Sequence, residues 1–467
     1  MPSVRPASSW PRFHSESAGR TNKYRIVPSF LSVLLVATAI SFVSGLSARI
    51  AAAQTASSST ASVAPPQLAT SKAGDFTSQV GVVTHLSYTN TPYYTQFPKI
   101  LAALKTLGVK HIRDGYYPWP ESSPIVQAHW QLAAAGIKTD YVIPYDLATS
   151  PADIEQFAGE VRDMGSVEAP NECDISGQCN GTGDAGVASA VSFMPTVHSA
   201  GNELKVPVVG PSFTQQDSYP AAGDLDSLMT VNNLHIYFGG RNPGSDGWGG
   251  YDAQGNSYGS FAWWLNQAAV DGPEMPSEIT ETGYMAYPST STPYTLPESV
   301  EASYIPRTLL LAFEHGFKST FVYELIDEVS SPGYGLMNSN LSPKPAFTAV
   351  SNLLSLLSDS GTYTPVNLRL AISGGGPTLN HIIFEKHDGS YWLVLWLEQS
   401  SWDEVNVAPI AVTPQNIGVE LGPHHKTVYD YQFDESGNVT RFNQPMTGNW
   451  ASLTVTDKIS VVQIEPR

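Results

Sequence analysis

A chain of 467 residues exceeds the roughly 250 to 300 at which a single core stops growing, so two folded units are the starting expectation. Its 42% hydrophobic, 10% aromatic and 14% charged residues exclude wholesale disorder. A formal net charge of −18 makes nucleic acid a poor partner and suits neutral or weakly charged substrates.

The first stretch differs in kind from the rest. Arg5, Arg12, Arg20, Lys23 and Arg25 precede an apolar run over 30–46, and Ala51, Ala52 and Ala53 follow it. That order predicts a secretory signal peptide over 1–53, with a small-residue cleavage site behind a long basic leader. The alternative is an uncleaved membrane anchor with an extracytoplasmic catalytic domain, because the run over 26–46 approaches the roughly 20 residues of a spanning helix. Ser29, Ser32, Thr38, Ser41, Ser44 and Gly45 dilute the run and favour cleavage. The expected location is secreted or periplasmic, with no membrane attachment once the leader is gone. Cleavage would remove six basic residues and one acidic residue, leaving 18 Lys+Arg against 41 Asp+Glu, a net of −23. Residues 54–73 are rich in Ser, Thr, Ala and Pro without hydrophobic period, and predict a flexible linker.

From 74 to 361 short apolar runs alternate with helical patterns, the signature of successive βα units and a parallel sheet. Strands are predicted at 80–85, 110–114, 139–144, 166–170, 207–211, 233–237, 276–280 and 320–325. Helices are predicted around 97–107, 125–135, 187–200, 225, 261–270, 297–315 and 345–357, with another opened by Ser150 as N-cap and Pro151 as first helical residue. Eight units over about 280 residues fit a closed (β/α)8 TIM barrel better than an open doubly wound sheet. No Gly-x-Gly-x-x-Gly turn follows the first strand. Over 362–467 the pattern changes to seven short alternating strands separated by turn clusters, which predicts an antiparallel β-sandwich. Its core-like alternation of Tyr391, Trp392 and Trp396 favours a domain that covers the side of the barrel over one that binds glycan. Cys173 and Cys179 lie six positions apart in a chain read as leaving the cytosol, which predicts a loop-closing disulfide; free thiols are the alternative.

Active sites of such barrels lie at the C-terminal ends of the strands. There the sequence puts His85 on the first strand, Arg113 and Asp114 on the second, and Asn171 and Glu172 on the fourth. His235 and Tyr237 end the sixth, Glu281 the seventh, and Tyr323 and Glu324 the eighth. Singly, each reads as an ordinary loop residue. Together, they bring two carboxylates into one mouth from nearly opposite sides, as cleavage of a glycosidic bond requires: one protonates the leaving oxygen and one attacks or stabilises the anomeric carbon. Arg113 facing the nucleophile would keep it ionised, and Asn171 would hydrogen-bond the hydroxyl beside the reacting carbon. Glu278 competes with Glu281, but lies three residues back and so on the opposite face of a regular strand.

Asn171-Glu172, His235-Ile236-Tyr237 and Ile279-Thr280-Glu281-Thr282-Gly283-Tyr284, in that order and on those strands, resemble the clan of retaining glycoside hydrolases with 4/7 barrels. A barrel followed by a β-sandwich is similar to families 30, 39 and 79 of that clan, although the motifs cover the barrel only. The resemblance implies that Glu172 is the general acid/base, Glu281 the nucleophile and Tyr237 its hydrogen-bond partner. It also implies a carbohydrate substrate cleaved by double displacement without a cofactor. The chain departs from the pattern at Cys173-Asp174, where a Pro or other small residue usually follows the Asn-Glu pair.

Sugar faces stack on aromatic rings, which makes Tyr88, Tyr116, Tyr117, Trp119, Trp263, Trp264, Tyr284 and Tyr323 candidates for subsite walls. Core packing is the competing reading, and the better one for at least one of Trp263 and Trp264. The expected substrate-binding set is Asn171, Arg113, His85, His235, Tyr237, Trp119, Tyr284 and Tyr323. A long rim is expected over 239–257, with Asp246 and Asp252 too sparse for a calcium loop. His85, His111 and His235 lack helical metal spacing, and no metal is expected. A non-catalytic carbohydrate-binding barrel would lack one of the two glutamates. A lyase would release ultraviolet-absorbing unsaturated products, and a transglycosylase would lengthen its oligosaccharides.

Overall fold

The computed structural model describes residues 65–467 apart from 146, 177, 178 and 246. The predicted leader and residues 54–64 of the predicted linker lie outside the described residues. Among the described residues no helix is long and apolar enough to cross a membrane.

Eight parallel strands form the centre: Val80–Val83, His111–Gly115, Lys138–Val142, Met164–Glu168, Val208–Val209, Asn232–Tyr237, Ser277–Gly283 and Thr320–Val322. Their hydrogen-bonded order runs from the fifth back to the first, then on to the eighth, seventh and sixth. The seam between fifth and sixth is a single parallel bridge, Val209 with Val231, beside which the Gly210 N–H donates to the Val231 carbonyl at 2.9 Å. The sheet is a nearly closed barrel, with every strand's C-terminal end at one mouth.

Local sequence accounts for the surrounding helices. Phe97–Leu107 buries Ile100, Ala103, Leu104 and Leu107 at helical spacing and stops at Gly108, whose φ of 91° is the left-handed cap that glycine takes without strain. Ser150 and Asp153 form a capping box on Pro151–Val161, and the Asp153 carboxylate accepts the Ser150 N–H at 2.8 Å. The helical turn expected near 225 is found instead at Ser218–Ala222, while Leu225 and Met229 reach the core from turns.

The C-terminal region is a sandwich of a four-stranded and a six-stranded sheet. Its central strand, Tyr391–Leu397, is buried on both faces. Tyr391, Leu393, Leu395 and Leu397 fill the space between the two sheets, whereas Trp392, Val394 and Trp396 join the core shared with the barrel helices. Period-two alternation thus serves two hydrophobic layers, and the sandwich covers the barrel's side. One expectation is corrected here. Residues 67–72, read as the end of a flexible linker, are strands of the sandwich: Gln67 and Leu68 pair with Arg369 and Leu368, and Ser71 and Lys72 with Phe384 and Glu385. Strands of two residues carry no period for composition to reveal.

Arg307, fully buried on the helix Glu298–Glu314, ties the two regions together. Its guanidinium donates to Asn242, to the Glu398 carboxylate and, at 3.2 Å, to the Gln399 carbonyl. Trp396 donates to the same carboxylate at 2.6 Å. Removing one partner of a buried ion pair strands the other, at about 3–5 kcal/mol. Arg307→Ala is therefore expected to lower the urea midpoint of unfolding clearly; an unchanged midpoint would show that the join contributes nothing.

Candidate active site

Glu281 sits at the end of the seventh strand, 4% exposed. Its Oε1 accepts from Arg113 Nη1 at 2.6 Å and its Oε2 from the Tyr237 hydroxyl at 2.8 Å. Burial pushes this carboxyl up, but His235, the Arg113 guanidinium and the Tyr237 hydroxyl together hold it below the ordinary glutamate value. Glu281 is thus held as an anion.

Glu172 lies just beyond the fourth strand with a φ of 44°, a left-handed conformation that side chains other than glycine rarely adopt. The surrounding loop is held from several directions. The Glu172 N–H donates to Ser212 Oγ, and the Asp174 carboxylate accepts from the Thr214 N–H at 2.8 Å, the Gln215 N–H at 2.8 Å and the Ser218 hydroxyl at 2.9 Å. Cys173 and Cys179 are joined in a disulfide. Gly186, near the start of the next helix, passes so close that a Cβ there would stand 1.8 Å from the Cys173 carbonyl oxygen. The Cys173-Asp174 departure noted in the sequence is therefore an anchor for the loop.

The Glu172 side chain accepts or shares a proton with His235 Nδ1 at 2.7 Å, and its Oε2 is buried without a partner. Burial raises this carboxyl above the ordinary value, against the lowering influence of His235 and with the Glu281 charge adding to the rise. The imidazole's other nitrogen fixes how that proton is shared. Thr280 Oγ1 donates to Asn233 Oδ1, so it accepts from His235 Nε2–H at 3.0 Å. The Glu281 and Glu172 carboxylates outweigh burial and raise the imidazole above its ordinary value, so the proton between Nδ1 and Glu172 is shared by the pair. One oxygen of Glu172, one ring nitrogen of His235 and one oxygen of Glu281 lie within 4.8 Å of one another.

Glu168, which sequence reasoning passed over, links the two carboxylates. Its oxygens accept Arg113 Nε and Nη2, both at 2.7 Å, in a bidentate pair, and Oε1 also accepts Asn233 Nδ2 at 2.8 Å. From this buried group one chain of bonds runs through Arg113 to Glu281, and another through Asn233, Thr280 and His235 to Glu172. The signal available in the sequence is a lone charge in the strand Val167-Glu168-Ala169, which a barrel interior tolerates only if it is paired.

The expected separation of Glu278 from Glu281 is corrected. Pairing between the sixth and seventh strands slips at Leu234/His235, where Leu234 faces Ile279 but His235 faces Glu281. Thr280 is the extra residue of a bulge, so the strict alternation assumed for Glu278 fails. Glu278 is buried, and burial and the nearby Glu168 charge push its carboxyl up to about 8. It is a protonated neighbour of the site at neutral pH.

The other expected residues divide. Asn171 accepts from Arg113 Nη2 at 2.7 Å through Oδ1, which orients its amide and leaves the NH₂ to donate outward. Tyr323 packs edge-on against Tyr334, which in turn packs edge-on against Tyr237. Tyr334 comes from the loop after the eighth strand and was not anticipated. His85 stacks on Tyr88 and faces Glu324 and Glu328. Trp119 is half-buried in the loop after the second strand, 6.5 Å from the Tyr117 ring. Tyr284 is not brought to the mouth. It is 1% exposed, stacked on Phe238 and tilted against Tyr304, because the chain turns into the helix layer after Gly283. Tyr116, Trp263 and Trp264 are also core residues.

The imidazole lowers both the Glu172 and the Glu281 carboxyl. If Glu281 acts ionised and Glu172 protonated, activity falls on the acid side as Glu281 gains a proton and on the alkaline side as Glu172 loses one. Replacing His235 by Asn removes the lowering influence from each, and both limbs of the kcat/KM profile are expected to move to higher pH. A profile that stays in place or moves to lower pH contradicts this network.

No protein-family model matches the chain, and no curated protein matches it. Solved structures do. A family 39 glycoside hydrolase from Bacteroides cellulosilyticus WH2 aligns with a TM-score of 0.51 at 13% identity over 84% of this chain and 82% of the other. The catalytic domain of GH30 xylanase C from Talaromyces cellulolyticus gives 0.53 at 12% identity, over 86% and 98%. An α-L-arabinofuranosidase from Thermotoga maritima gives 0.50 at 12% identity, over 87% and 98%. This chain shares with these enzymes the fold of a parallel β/α barrel and its attached β-sandwich.

Proposed function

We propose that the protein is a secreted retaining glycoside hydrolase that cleaves O-glycosidic bonds of a poly- or oligosaccharide. The observation that carries this reading is the approach of one Glu172 carboxylate oxygen to within 4.8 Å of one Glu281 carboxylate oxygen, one carboxyl raised and the other lowered. Retaining enzymes hold their carboxyl groups roughly 5 to 5.5 Å apart, whereas inverting enzymes leave about 6.5 to 9.5 Å for a water. In the first step Glu281 attacks the anomeric carbon while the Glu172 proton passes to the departing oxygen. In the second, water attacks the same carbon, its proton returns to Glu172, and the Glu281 ester bond breaks. Arg113 and Tyr237 orient the nucleophile, His235 shares the acid's proton, and the Asn171 amide donates to the hydroxyl beside the reacting carbon. Tyr323 and Tyr334 form one wall, with Trp119 further out.

The shared fold supports the reading, since the similar structures are a family 39 glycoside hydrolase, a xylanase and an arabinofuranosidase. Export is supported by the basic leader with its apolar run and by the Cys173–Cys179 bridge, a bond that persists in oxidising compartments. The test is a screen of chromogenic glycosides and of plant and microbial polysaccharides with the wild-type protein beside Glu281→Gln. Release of reducing sugar by the first and not the second is expected; equal activity of the two, or none on any glycoside, overturns the proposal.

A further inference from the structure

Exposed rings are concentrated on one side of the barrel mouth. Among the described residues six large aromatic side chains are exposed, and four of them, Trp248, Tyr251, Tyr258 and Tyr294, lie in the two loops that leave the ends of the sixth and seventh strands. Those strands carry Tyr237 and Glu281. Trp248 is 43% exposed and Tyr294 49%. Rings left in water forgo the burial that large apolar side chains ordinarily gain, so their concentration in two loops marks a surface that meets a ligand.

The two loops hold these rings in place. The Asp252 carboxylate accepts from the Asn256 N–H at 2.7 Å and, across to the helix Phe261–Asp271, from the Asn266 amide at 3.1 Å. The Trp248 N–H donates to the Tyr258 carbonyl at 2.8 Å. The indole packs against bare backbone at both ends: a Cβ at Gly239 or at Gly259 would stand 2.3 or 2.4 Å from its atoms. Gly239 is two residues beyond Tyr237, at most about 7 Å along the backbone, which sets the indole at the mouth. The Arg241 guanidinium lies 4.0 Å from the Trp248 ring centre and 5.5 Å from that of Tyr294, and the two rings are 6.2 Å apart. The sandwich braces this group. Glu404 pairs with Arg241 at 3.4 Å, the Glu404 carbonyl accepts the Tyr294 N–H at 2.9 Å, and the Trp402 indole donates to the Thr295 carbonyl at 3.0 Å.

We propose that Trp248 and Tyr294, flanked by Tyr251 and Tyr258, form a stacking platform for a sugar unit beyond the bond that is cleaved, so that the substrate is a neutral glycan chain and not a small glycoside. The proposal rests on the glycosidase reading and narrows its substrate. A sugar ring packs its C–H face on an aromatic ring while its hydroxyls stay at the edge in water, which suits rings that are half exposed. The Arg241 charge is already met by Glu404, which favours a neutral sugar over a uronate or a sulfated one. Trp248 and Tyr294 are positioning residues, and the sandwich, by bracing Arg241 and Tyr294, takes part in holding the chain.

The test is calorimetric titration of Glu281→Gln, which does not consume its ligand, with cellohexaose, xylohexaose, laminarihexaose and mannohexaose, repeated with Trp248→Ala or Tyr294→Ala added. At least one hexasaccharide is expected to bind, about tenfold more weakly with either ring removed. With the nucleophile intact, the ratio of kcat/KM on that hexasaccharide to kcat/KM on the matching p-nitrophenyl monosaccharide should fall by the same factor in Trp248→Ala, and Trp248→Phe should recover most of it. Thermal unfolding checks each variant, and Tyr294→Ala, an exposed truncation, carries the test if Trp248→Ala does not fold. Binding of none of the four hexasaccharides, equal affinity with both rings removed in turn, or an unchanged ratio overturns the platform. Binding that depends on Trp248 without hydrolysis of any glycoside supports the platform and overturns the glycosidase reading alone.

Discussion

Glu281→Gln is expected to lower kcat by on the order of 10⁴ to 10⁶-fold, the scale seen when the nucleophile of a covalent mechanism is removed. The amide keeps the shape of the side chain and can still meet Arg113 or Tyr237, so oligosaccharide binding should survive; loss of turnover with binding retained is the expected pair of results. Glu172→Ala should behave differently. Removing a general acid/base costs about 10² to 10⁴-fold, and the cost should be smaller for substrates whose leaving group needs no proton. On such an activated substrate the glycosyl-enzyme forms and then waits for a base-assisted water. Azide, a nucleophile that needs no base, should attack that intermediate, break the Glu281 ester and restore turnover. Absence of rescue, with the variant shown to be folded, would remove Glu172 from the acid/base role.

The second large effect is expected at a residue that touches no substrate. Glu168 accepts two hydrogen bonds from Arg113 and one from Asn233, and through them reaches the side chains of Glu281 and Glu172. In Glu168→Gln one acceptor becomes a donor and faces N–H groups, so Arg113 or Asn233 must turn away. A displacement of about 1 Å at reacting groups costs roughly 10²-fold, and the loss should fall on kcat with KM little changed. Arg113, relieved of one of its two carboxylates, should also hold Glu281 more strongly as an anion and carry the acid limb of the profile to lower pH. That is the opposite of the displacement expected for His235→Asn. A loss confined to thermal stability, with kcat and the pH profile intact, would reduce Glu168 to a packing residue.

Those two expectations mark where the sequence was informative and where it was not. The barrel strands were legible because apolar runs recur with helical patterns between them, and the ends of those runs carried Arg113, Asn171, Glu172, His235, Tyr237 and Glu281 to one place. The sandwich was legible from the alternation around Tyr391, Trp392 and Trp396, whose two faces bury separately. What failed were features that depend on departures from period. The bulge at Thr280 cannot be read from a strand pattern, and it upset the inference that Glu278 points away from the site. Tyr284 looked like a wall of the mouth because it follows Glu281 closely, yet the chain leaves the strand after Gly283 and buries the ring against Phe238. Tyr334 and the cluster around His85 come together only through closure and through the loop after the eighth strand. Glu168 was legible in principle, as an unpaired charge in an apolar strand, but its partners were not.

Anomeric configuration bears most directly on the paired carboxylates. Proton NMR of the first sugar released from a glycoside that the protein hydrolyses, recorded before mutarotation, should show the configuration of the substrate. Release of the opposite anomer would mean that water attacks directly, and would contradict a covalent intermediate on Glu281.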